Sequence, residues 1–75
     1  MKLEADKTYV FKDDAARDEF SRMSPYNKRI IKGNGGNGFK IISIDPDGDA
    51  LTSNSKYIDT REFYLFKEKN PNHST

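Results

Sequence analysis

Phe39-Lys40-Ile41-Ile42-Ser43-Ile44-Asp45-Pro46-Asp47-Gly48-Asp49-Ala50-Leu51-Thr52-Ser53 is the stretch on which the fold turns. Its first six residues are rich in β-branched and aromatic types, which suit a pleated surface. Their apolar side chains fall on both faces, so the spacing predicts a central strand. Asp45 to Asp49 then reads as a tight turn. Proline pre-sets the first corner, aspartate suits the second and glycine supplies a left-handed position. Ala50 to Ser53 returns as the partner strand. One hairpin is therefore predicted in the second half of the chain, and the rest has to pack around it.

Upstream, Gly33-Asn34-Gly35-Gly36-Asn37-Gly38 holds four glycines in six residues and is expected to be a flexible loop. Before it, Ser24-Pro25 suits the start of a short helix, with Ser24 as N-cap and Pro25 at the first helical position. Tyr26 and Ile30 share one face of that helix with Ile31 beside it. Lys28, Arg29 and Lys32 fall on the opposite side, and Gly33 is the expected stop. An earlier helix is predicted from Asp14 to Met23, capped by Asp13 or Asp14, with Ala16, Phe20 and Met23 as its apolar stripe. Thr8 to Lys12 reads as the first strand.

Downstream, Asn54-Ser55 turns the chain and Lys56-Tyr57-Ile58 forms a short strand. Asp59 and Glu62 have the spacing of a capping box, which predicts one helical turn. Phe63 to Phe66 is the expected closing strand. Residues 1–69 are expected to form one globular domain, and 70–75 a disordered polar tail. The expected core is Phe11, Phe20, Ile42, Ile44, Leu51 and Leu65. The class is α+β: a small curled antiparallel sheet with one or two short helices inserted after the first strand.

The chain has 75 residues, a third of them charged and a third apolar, and nine aromatics carry much of its burial potential. It has no cysteine, so neither a disulfide framework nor thiolate chemistry is available. The polar opening and the lack of a long apolar run point to a soluble, cytoplasmic protein without a membrane anchor. The net charge of +1 hides an asymmetry. Residues 20–43 carry Arg22, Lys28, Arg29, Lys32 and Lys40 with no acid, giving +5, whereas each flank is −2.

That basic segment is the candidate site. Arg22, Lys28, Arg29, Lys32 and Lys40 could form one positive patch, with Tyr26 and Phe39 as stacking surfaces and Asn34 and Asn37 on an adaptable loop. Such a surface suits an acidic protein partner or single-stranded nucleic acid. The same cations also complement a helix C-terminus, and the aromatics are equally at home in a core.

Catalytic chemistry finds little support. The one histidine, His73, lies in the tail, where no base can be held in register with a nucleophile. Asp45, Asp47 and Asp49 alternate like the opening of a calcium loop. The required sixth-position glycine and twelfth-position glutamate are replaced by Ala50 and Lys56. The glycine loop opens a strand rather than a helix and lacks the lysine of a phosphate loop. No enzyme activity, cofactor or metal is expected.

The layout of strand, helical excursion and meander between Thr8 and Phe66 resembles an SH3-like barrel whose first loop is replaced by helices. The Lys7-Thr8-Tyr9-Val10-Phe11-Lys12-Asp13-Asp14 opening and the Asn37-Gly38-Phe39 entry to a hairpin also resemble the short accessory proteins of tailed bacteriophages. That resemblance implies a small non-catalytic modulator or inhibitor of a host or phage protein, acting as monomer or homodimer in the host cytoplasm. A nucleic-acid-binding protein using residues 20–43 is the alternative.

Overall fold

In a computed structural model, residues 2–34 and 38–69 are described. The central part of the glycine loop and the 70–75 tail lie outside them. The strands are β1 (Thr8–Phe11), β2 (Phe39–Ile44), β3 (Ala50–Thr52), β4 (Tyr57–Ile58) and β5 (Phe66–Glu68). The helices α1 (Asp14–Met23) and α2 (Pro25–Asn34) follow β1, and a 3-10 helix (Thr60–Leu65) precedes β5. All strand pairs are antiparallel, in the order β4-β3-β2-β1-β5. The class is thus α+β with a five-stranded antiparallel sheet. Among the described residues β4 and β5 remain open edges, so the sheet does not close into a barrel.

Helix α1 starts where its sequence dictates. Asp13 is extended, and its carboxylate accepts the Ala16 amide at 2.7 Å, satisfying one orphan donor of the first turn. Ser24 returns to extended backbone and breaks the helical run; its hydroxyl oxygen accepts the Asn27 amide at 3.2 Å and opens α2. Gly33 does not stop α2, which continues to Asn34. Mid-helix glycine costs only about 1 kcal/mol relative to alanine, so a single one does not end a helix. Gly38 is the glycine that the geometry needs. Its φ is +90°, and a Cβ there would lie 3.1 Å from the Tyr9 carbonyl oxygen.

The centre of the core is a cluster of phenylalanines. Phe11, Phe20, Phe39 and Phe66 hold ring centroids 4.8–5.7 Å apart, stacked, tilted or edge-on. Leu3, Tyr9, Ala16, Ile30, Ile41, Ala50, Ile58, Phe63 and Leu65 complete it. Of the core expected from sequence, Phe20 and Leu65 are buried and Phe11 packs partly buried against them.

Ile42, Ile44 and Leu51 depart from expectation. The β2–β3 register shifts between Ile41 and Ser43, so Ile42 is an extra residue in the ladder and is 50% exposed. The inward positions of β2 go to Phe39 and Ile41 instead. Leu51 and Tyr57 are opposite each other and only partly covered, and Ile44 stands near the turn at 38% exposure. The helical layer packs mainly on β1 and the 3-10 helix, leaving the far end of β2 uncovered.

Two further corrections follow from local structure. The turn that starts at Asp59 carries on to Leu65, so Phe63 and Leu65 reach the core from a 3-10 helix and only Phe66 begins the strand. Met23 is 44% exposed and does not complete the α1 stripe, because the chain bends away at Ser24.

The Asp45–Asp49 turn is a hairpin corner. The Asp45 carboxylate accepts the amides of Asp47 and Asp49, each at 3.0 Å, and Gly48 has φ of +93°.

Candidate functional site

The two sides of α2 have different surroundings. Asn27 and Ile30 point inward and are buried, with Ile31 half-buried between them and solvent. At about 100° per residue, Lys28, Arg29 and Lys32 then face away from the core, and all three are exposed. Arg22 is exposed in the last turn of α1. Among the described residues none of these four cations forms a salt bridge. Lys28, Arg29 and Lys32 are thus exposed together on the outer side of α2.

The other proposed contact residues are placed differently. Phe39 is 3% exposed inside the phenylalanine cluster, so it offers no stacking surface. Lys40 is exposed, but it stands on β2 opposite Thr8 rather than on the helix. Tyr26 is 39% exposed, and its hydroxyl accepts the Tyr57 amide at 2.8 Å. That bond ties the Tyr26 hydroxyl to the open edge of the sheet at β4. Asn37 and the side chain of Asn34 lie outside the described residues.

A feature that sequence reading missed lies at the start of α2. A cleft of about 470 Å³ opens between the α1–α2 junction and the β4 to 3-10 segment. Met23, Tyr26 and Tyr57 supply its apolar walls; Asp49, Asp59, Glu62 and Arg61 supply its charge. Its floor is a buried polar link. The Asn27 side-chain amide donates to the Phe20 carbonyl at 2.9 Å and to Glu62 Oε2 at 2.6 Å. Glu62 Oε1 accepts the Asp59 amide at 2.9 Å, which closes the capping box foreseen from the Asp59–Glu62 spacing. The Asn27 amide thus ties α1 to α2, and the Glu62 carboxylate ties α2 to the start of the 3-10 helix. Among the described residues no buried side-chain polar atom lacks a partner.

The rim is also fixed. Asp49 Oδ1 accepts the Thr60 amide at 3.2 Å. Arg61 forms a paired contact with Asp59, through Nε and one terminal nitrogen, both at 3.1 Å. Hydrogen bonds from Arg61 hold the Asp59 carboxyl below its usual range and raise the guanidinium in return. The Lys56 ammonium sits 5.9 Å from the centroid of the Tyr26 ring.

Only part of this was readable. The capping box shows in local spacing, whereas the pairing of Asn27 with Glu62 spans 35 residues and has no local signal. Among the described residues, no cluster of His, Cys, Asp and Glu could hold a metal ion, and no helix is long and apolar enough to cross a membrane. Comparison with known proteins finds no matching family model, no matching curated protein and no matching solved structure.

Proposed function

We propose that this chain is a non-catalytic binding protein that docks the outward face of α2 on an acidic surface of a partner protein, as a phage-type modulator of a host protein would. The observation that carries the reading is the exposed set Lys28, Arg29 and Lys32, without a salt bridge among the described residues and within a segment that contains no acid. A one-sign surface approaches a negative partner without like-charge repulsion and speeds encounter. An acidic protein fits better than single-stranded nucleic acid. Nucleic-acid grooves interleave cations with stacking aromatics, and here Phe39 is buried and Tyr26 is tied to β4.

The strand order and the helical excursion after β1 support an SH3-like layout. The shared core of residues 2–34 and 38–69 supports a single domain. A cysteine-free chain suits a reducing cytoplasm.

The test is a titration of the chain with a poly-glutamate peptide and with an oligothymidylate of equal charge, at several salt concentrations. Tighter binding of poly-glutamate, weakening as salt rises and lost in the K28E/R29E/K32E variant, supports the reading. Tighter binding of the oligothymidylate transfers the surface to nucleic acid. Binding unaffected by the triple substitution removes α2 from the interface.

A further inference from the structure

The cleft at the start of α2 has the walls and the charge of a site for an organic cation. Its volume falls within the roughly 300–1,000 Å³ common for ligand pockets. Its walls are two tyrosine rings and a methionine, all partly open to solvent at 39–45%. Such walls suit a flat, weakly hydrated group better than a compact hydrated one. The carboxylates outnumber the cations, with Asp49, Asp59 and Glu62 against Arg61. Arg61 pairs with Asp59 and also feels Asp49 and Glu62, yet one guanidinium against three carboxylates leaves the lining with a net negative charge. The Asp49 carboxylate uses Oδ1 for the Thr60 amide, and Oδ2 lies outside that bond. The chain itself places a cation against one of these walls, Lys56 over Tyr26.

Rigidity argues in the same direction. The Tyr26 hydroxyl is fixed by the Tyr57 amide, and the floor is fixed by the Asn27–Glu62 link. Binding would therefore order little of the cleft, and pre-formed sites lose less affinity to ordering.

We infer that this cleft receives an arginine side chain from a partner polypeptide, its guanidinium lying against Tyr26 and Tyr57 and directed at Asp49. A guanidinium matches both features at once: it stacks on aromatic faces and donates a planar fork to a carboxylate. The site is separate from the cation face of α2 and takes the opposite charge. A single partner that touches both would have to present an acidic surface and a projecting arginine side by side.

The experiment is an amide-resolved NMR titration of the full chain with the capped tripeptide acetyl-Ala-Arg-Ala-amide. The same peptide with citrulline for arginine, and spermidine, serve as the other arms. Saturable shifts at Tyr26, Tyr57 and Thr60 are expected in the millimolar range, with the citrulline peptide at least tenfold weaker. Asp49→Asn keeps the Oδ1 acceptor for Thr60 and removes the charge. It should weaken the arginine peptide about tenfold while leaving the rest of the spectrum in place. Equal binding of the citrulline peptide would overturn the inference, because charge would then play no part. Spermidine binding as tightly as the arginine peptide at the same residues would overturn the guanidinium assignment. No shift in the cleft with any arm would remove the site altogether. Since K28E/R29E/K32E leaves the cleft residues intact, its binding of the arginine peptide reports on this site independently of the α2 face.

Discussion

Helix α2 has one side that is structurally committed and one that is not. On the inner side, Asn27 donates two buried hydrogen bonds, Ile30 fills the core and Tyr26 holds the edge of β4. On the outer side, Lys28, Arg29 and Lys32 make no salt bridge among the described residues. The difference separates the residues of α2 that stabilise the fold from those that contribute little to it. Groups that hold the fold together have their polar atoms satisfied internally, so they can present only a fixed surface. Under the proposed function, the exposed cations are the groups left to meet an incoming partner.

The largest effect should come from the layer beneath the inner side. Phe20 is fully buried, and its ring packs against Phe11 and Phe66. Phe20→Ala should lower stability by about 3–5 kcal/mol in chemical denaturation. In a domain this small that approaches the whole folding free energy. A midpoint near that of the parent chain would show that the helical layer does not rest on the phenylalanine cluster.

Next is the polar link. Asn27→Ala removes both donors and leaves the Phe20 carbonyl and the Glu62 carboxylate buried without them. The expected loss is about 3 kcal/mol, since an orphaned buried acceptor costs more than the bond was worth. Glu62→Gln keeps the shape but replaces one of the two accepting oxygens by an NH2 that faces either the Asp59 amide or the Asn27 amide, so it too should cost about 1–3 kcal/mol. A denaturation midpoint unchanged from the parent chain would show that this link does not hold the floor. Tyr26→Phe deletes only the acceptor for the Tyr57 amide and should cost about 1 kcal/mol. Faster hydrogen exchange at Tyr57 in that variant would locate the effect at the sheet edge.

What the sequence made legible was local. The strand at Phe39–Ile44, the Asp45–Asp49 corner, both helices and the Asp59–Glu62 cap each follow from a few neighbouring residues. The cation face is also local, because spacing along α2 alone decides it. Long-range effects were not legible. One inserted residue at Ile42 shifts the register of β2 against β3, and a run with apolar residues on both faces does not say which of them turn inward. Phe39 reads equally well as a core ring or a stacking ring, and its place opposite Tyr9 in the ladder decides for the core. The cleft is less local still, since its lining comes from three stretches, 23–27, Asp49 and 57–62, that only the tertiary fold brings together.

The smallest effect on stability, and the most direct test of the functional reading, comes from the outer side. K28E/R29E/K32E changes three exposed groups, none with a salt-bridge partner among the described residues, so denaturation should shift by about 1 kcal/mol or less. Calorimetric titration of this variant with poly-glutamate at low salt, beside the parent chain, is the decisive measurement. The account predicts heat and a defined midpoint for the parent chain, and no binding for a variant whose melting curve is nearly unchanged. A variant that folds normally and binds poly-glutamate as tightly as the parent chain would contradict it.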